Sequence, residues 1–110
     1  MKKYNLSYIM KRAWELVKGL GLTISDGLKT AWKEVKLIAK LREIVAEKNI
    51  HDNGYHYEEV VRDWENYGKS RTYFSFIETR DYSKHYAKTE YGYLDNQTGE
   101  YVRAKYATLA

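Results

Sequence analysis

The chain has 110 residues, no cysteine and no proline, with 19 lysines and arginines against 15 aspartates and glutamates. That length fits one domain, 1–110, able to bury a core, and the lack of cysteine removes disulfides, thiolate metal sites and cysteine nucleophiles together. The basic start, Met1-Lys2-Lys3, leads into no uninterrupted apolar run, so neither a signal peptide nor a membrane span is expected; a reducing cytoplasm is the expected location.

Two basic helices are predicted first, about Tyr8 to Lys18 and Ile24 to Lys48, with Ser7 and Thr23 as N-caps and Gly19 and Gly21 between them. Residues 1–48 carry a net charge of +6, whereas 49–110 carry −2. The helices echo one another: Met10-Lys-Arg-Ala-Trp-Glu-Leu-Val-Lys18 and Leu28-Lys-Thr-Ala-Trp-Lys-Glu-Val-Lys36 share Lys, Ala, Trp, Val and Lys. Folding back would let the two Ala-Trp-x-x-Val faces meet, with Trp14 and Trp32 in the core. At 100° per residue Lys29, Lys33, Lys36 and Lys40 share one narrow sector of the second helix. Such a row is either a solvated face or a candidate contact for nucleic-acid phosphates, which need charges in line but no particular base.

A third helix is predicted over about Tyr55 to Tyr67, capped by Asp52 or Asn53 and stopped by Gly68, with Val60, Val61 and Trp64 on its apolar side. Its outer face would carry Glu58, Glu59, Asp63 and Glu65 against Arg62 alone, a solubilising surface or a phosphate-like row offered to a basic protein cleft. From Arg71 the period becomes two, giving strands at about 71–77, His85 to Leu94 and Glu100 to Tyr106, the last two joined through Asp95-Asn-Gln-Thr-Gly99. The expected fold is therefore α+β, an N-terminal helical hairpin (1–48) and a third helix packed on a three-stranded antiparallel β-meander. Its core would include Trp14, Trp32, Val35, Ile38, Val61, Trp64, Phe74 and Phe76.

Ten of the twelve tyrosines lie at Tyr55 or beyond, too many to bury, so exposed tyrosine surface is expected, with Tyr86 and Tyr93 as candidate protein contacts. Arg80, Lys84, Lys88, Arg103 and Lys105 interleave with these rings, as on surfaces that stack unpaired bases while holding backbone phosphates. Catalytic signals are lacking: no phosphate loop occurs, and Asp81, Ser83 and His85 lie within one turn without a nucleophile elbow. His51, His56 and Asp52 are too few for a structural zinc site. No catalytic residue, metal, cofactor or small-molecule substrate is expected.

The block Leu6-Ser-Tyr-Ile-Met-Lys-Arg-Ala-Trp-Glu-Leu-Val17, with Thr23-Ile-Ser-Asp-Gly-Leu-Lys-Thr-Ala-Trp-Lys-Glu-Val35, resembles the N-terminal helical segment of small accessory proteins of Firmicute phages and plasmids. Trp64-Glu-Asn-Tyr-Gly-Lys-Ser-Arg-Thr-Tyr-Phe74 and Tyr91-Gly-Tyr-Leu-Asp95 are similar to the C-terminal part of some of them. Several such proteins are anti-CRISPR inhibitors. The resemblance implies a non-catalytic inhibitor of a type II RNA-guided nuclease, acting on the nuclease or its guide RNA. The alternative is a nucleic-acid-binding accessory or regulatory protein.

Overall fold

The computed structural model describes residues 4–50 and 54–110. His51, Asp52 and Asn53 lie outside them, and with them the cap expected for a third helix. Helix α1 (Leu6–Leu20) begins at Asn5, whose side-chain oxygen accepts from the Tyr8 amide, so Asn5 rather than Ser7 is the N-cap. It ends on Gly21 in the left-handed conformation, whose N–H returns to the Val17 carbonyl. Helix α2 (Ile24–Ile50) follows at once, with Thr23 Oγ1 accepting from the Asp26 amide as the sequence predicts.

Four strands come next: β1 (Tyr55–Asn66), β2 (Lys69–Arg80), β3 (Tyr86–Asp95) and β4 (Tyr101–Arg103). They pair in chain order as an antiparallel meander. The class is α+β, but the segment expected as a third helix is β1, and the sheet has four strands rather than three. The reason lies in the turn. Tyr67 and Gly68 both have positive φ (52° and 72°), the geometry that two-residue hairpin loops demand, and it folds β1 directly onto β2. Once paired, the β-branched and aromatic residues of 55–66 fit a pleated surface better than a helix.

Alternation along β2 sets two faces. Thr72, Phe74 and Phe76 point toward α2 and are buried; Arg71 and Tyr73 point the other way. Leu37, Leu41 and Val45 of α2 pack on Phe74, Phe76, Tyr91, Leu94 and Leu109 as the main core. A smaller core joins the helices through Ile9, Ala13 and Ala31, with Trp32, Val35 and Leu28 against it. Of the expected core, Phe74 and Phe76 are buried, and Trp32, Val35, Ile38 and Trp64 are half-buried. Trp14 and Val61 are exposed, at 48% and 37%. For Trp14 the reason is close approach: a Cβ on Gly27 would come within 2.9 Å of the Ala13 carbonyl oxygen, so the helices meet at small residues and push the large ring to the flank.

At the β1 edge the Asn49 side chain clasps the backbone of Tyr57, donating to its carbonyl (2.9 Å) and accepting from its amide (3.0 Å). In β3 an extra residue, Tyr91, bulges out of register and turns its ring into the core beside Phe76. Tyr101 then donates its hydroxyl to the Tyr91 carbonyl and accepts from the Leu109 amide, which pins the last residues across the sheet.

Candidate nucleic-acid interface on the open face of the sheet

Both helices lie on one side of the sheet, so the opposite face has no covering element among the described residues. The pairing register places side by side there Trp64 and Arg71, then Arg62, Tyr73 and Tyr93, then Val60, Ser75 and Glu90. Tyr73 and Tyr93 lie with ring centres 5.3 Å apart, and Trp64 meets Tyr73 edge-on at 6.4 Å. The Arg71 guanidinium sits 4.3 Å from the Tyr93 ring centre and 5.5 Å from that of Trp64. It donates to the Tyr73 hydroxyl (3.1 Å), a bond that also holds the Arg71 pKa above its ordinary value. The result is a fixed ring cluster with a cation held on it.

Beside this cluster runs a groove of about 520 Å³, with Tyr73, Tyr93 and Ser75 on its floor and Arg62, Lys88, Arg103 and Lys105 around it. Among the described residues Glu90 is the one carboxylate lining it, 3.7 Å from Lys88. Gly92 makes the groove possible. Its φ of 103° disfavours any side chain, and a Cβ would collide with the Val102 carbonyl oxygen, so glycine lets β4 close on β3 and leaves Arg103 and Lys105 at the margin of the groove. A cationic rim with ring faces inside can hold backbone phosphates while bases stack, with no bond made or broken.

The expected site residues divide. Tyr93, Lys88, Arg103 and Lys105 come together in the groove; Tyr86 lies on the same face, in register with Thr79 at its far end, 62% exposed. Arg62, read from sequence as a lone cation on an acidic helix, belongs to the groove. Its signal was the alternation of Val60, Arg62 and Trp64, visible once β1 is treated as a strand.

The acidic row is not a row. As strand residues Glu58 falls on the open face, while Glu59, Asp63 and Glu65 fall on the helix side. There Glu59 pairs with Arg42 (3.4 Å) and Asp63 with Arg12 (3.2 Å), so two of the four carboxylates fasten β1 to the helices; Glu58 and Glu65 are exposed. Arg12 also reaches Glu34 (3.1 Å) and Glu15 (3.4 Å). Asp63 continues the connection to the buried Thr72 (3.0 Å), which lies 3.2 Å from Asn96. Burial works against charge on Arg12, but Glu34 and Asp63 more than offset it. Burial pushes the Glu34 carboxyl up, with Arg12 opposing. This network is a structural tie.

The lysine row keeps its predicted form. Lys29, Lys33, Lys36 and Lys40 are all exposed on α2, on the helical side of the molecule and away from the groove, with Lys36 Nζ 6.0 Å from the Trp32 ring centre. His56 pairs with Asp81 (2.6 Å) and His85 with Glu78 (2.7 Å). Among the described residues no cluster of three His, Asp or Glu could hold a metal ion, and no helix is long and apolar enough to cross a membrane.

No protein-family model, no curated protein and no solved structure matches the chain.

Proposed function

We propose that this chain is a non-catalytic binding protein for single-stranded nucleic acid, gripped in the groove on the open face of the sheet. The observation that supports this reading is the grouping of Arg62, Lys88, Arg103 and Lys105 around Tyr73 and Tyr93 on a face that neither helix covers. Phosphates would lie along the four cations while bases stack on the rings and the Arg71 plane. The arrangement reads backbone and ring faces, so weak base preference is expected.

The inhibitor reading survives in one form. Docking of an acidic helix in a basic cleft has no basis here, because Glu58, Glu59, Asp63 and Glu65 belong to a strand and two of them are paired. Capture of a guide RNA in the groove, in the cytoplasm of a bacterial host, would still deprive a type II RNA-guided nuclease of its cofactor. The test is fluorescence anisotropy with labelled oligouridine, oligothymidine and a DNA duplex, on the natural chain and on Arg103→Glu/Lys105→Glu. Single strands should bind in preference to duplex, and the double substitution should abolish binding. Equal affinity of the two proteins would remove the groove from the proposal. A cleavage assay with the protein added before or after guide loading then tests inhibition, which should occur only before loading.

A further inference from the structure

The repeated Ala-Trp-x-x-Val segments have a role that the groove leaves unused. Ala13 and Ala31 are fully buried where the helices cross, so their neighbours Trp14 and Trp32 flank that line on the hairpin surface facing away from the sheet. On α1, Leu6, Met10 and Trp14 follow one another at i, i+4 and i+8, and they are 62%, 45% and 48% exposed. At 100° per residue they lie on the side opposite Arg12, which reaches down to Asp63 of the sheet. On α2 the same outward sector holds Leu28 and Trp32, both half-buried, with Tyr4 edge-on to Trp32 at 5.8 Å. Two antiparallel helices thus present an apolar valley with two indoles on its banks.

The borders of that valley are basic on both sides. Lys11 and Lys18 stand on the outer flank of α1, and Lys29, Lys33, Lys36 and Lys40 on the outer flank of α2; all six are exposed. Ser25, Leu28, Lys29, Trp32, Lys33 and Lys36 line one shallow hollow there. The carboxylates nearby among the described residues are fewer than the lysines: Asp26 lies at the start of α2, Glu43 and Glu47 continue the lysine sector beyond Lys40, and Glu15 and Glu34 are engaged with Arg12. A valley between two helices accepts a third helix, and lysines on both borders select one whose flanks are acidic. A second copy of this chain would set lysine against lysine, and a bilayer would meet the ridges as a plane and leave the valley unfilled.

We infer that the outward face of the α1–α2 hairpin docks an acidic amphipathic helix of another protein, on the side of the molecule opposite the groove. The lysine row then serves as the rim of a protein-binding surface. The inference is independent of nucleic-acid binding. It is tested by amide NMR titration of the full chain with a synthetic helical peptide bearing leucines at i, i+3, i+4 and i+7 and glutamates elsewhere, and with the same peptide carrying lysines for glutamates. Parallel arms use phosphatidylserine vesicles, oligouridine and the protein alone over a concentration series.

The acidic peptide should shift Leu6, Met10, Trp14, Leu28 and Trp32, and the basic peptide should not. Met10→Ser/Trp14→Ser and Lys29→Glu/Lys33→Glu/Lys36→Glu alter exposed positions, so circular dichroism should stay unchanged while affinity falls at least about tenfold for each, as expected of contact residues. Absence of shifts on the hairpin, equal binding of the basic peptide, or retained affinity in both variants would overturn the inference. So would hairpin shifts produced only by vesicles, only by oligouridine or only by self-association.

Discussion

Arg12 of α1 and Asp63 of β1 are 51 residues apart in the chain, yet their guanidinium and carboxylate lie 3.2 Å apart. The same guanidinium serves Glu34, whose side chain is only 4% exposed, so one residue holds together the first helix, the second helix and the edge of the sheet. Removing Arg12 strands a buried carboxylate, whereas removing the half-exposed Asp63 does not. Arg12→Ala should therefore cost about 3 kcal/mol or more, and Asp63→Ala clearly less. Urea denaturation of both variants measures this, and equal costs would show that the network is not centred on Arg12.

Glu34 gives the network a pH dependence. Burial first of all raises its pKa, and Arg12 lowers it only in part. A raised folded-state pKa means that the protonated form is favoured by folding. The stabilisation is full below the unfolded-state value and is lost as pH rises through the raised folded-state value. Acidification from neutral pH toward the unfolded value should thus strengthen the natural protein relative to Glu34→Gln, which does not titrate there. Denaturation midpoints of the two proteins across that window should diverge; a constant difference would contradict the assignment.

Trp14 and Phe74 make a matched pair of opposites. Phe74→Ala empties a position 1% exposed and should cost about 3–5 kcal/mol. Trp14→Ala acts at a ring 48% exposed and should cost about 1 kcal/mol or less. A large loss at Trp14 in thermal denaturation would place that ring inside the helix packing instead of on its flank.

Gly92→Ala probes the groove through the backbone. The φ of 103° and the collision with the Val102 carbonyl together forbid the substituent, so β4 should detach from β3. Amide hydrogen exchange should rise across residues 101–103 while the β1–β2 hairpin stays protected. Oligouridine affinity should fall with it, because Arg103 and Lys105 lose their place.

Salt offers a count of the contacts. Four cations on single-stranded phosphates predict a slope of about −3 in log affinity against log salt. Arg103→Ala should make it shallower by about one contact's share. A slope near zero would mean that rings, not cations, hold the strand.

Much of this architecture could be read from residues alone. The polar, Gly-ended turn at 95–99, the alternation from Thr72 to Phe76 and the glycines between two amphipathic runs each state a local geometry, and each is found as predicted. The segment 55–66 defeats such reading because Val60, Val61 and Trp64 satisfy a helical spacing as well as they satisfy a strand. What decides is the partner: Tyr67-Gly68 delivers β1 to β2, and pairing along twelve residues outweighs local preference. The groove was half visible for a related reason. Lys88, Tyr93, Arg103 and Lys105 carry the composition of a base-stacking surface, but Arg62 joins them only through the register of a strand, and Gly92 matters only because another backbone crosses it.

The sheet order, β1 to β4, is also the order of synthesis. On the ribosome each strand can pair with the one made just before it, so loop closure is short at every step and the meander can zip up without waiting for a distant partner. The hairpin of helices has no such convenience. Leu37, Leu41 and Val45 leave the ribosome well before Phe74, Phe76, Tyr91 and Leu94, against which they will pack. Until β2 and β3 follow, the growing chain carries an uncovered greasy stripe, and the same lysines that border α2 keep that nascent helix charged and separate from its neighbours.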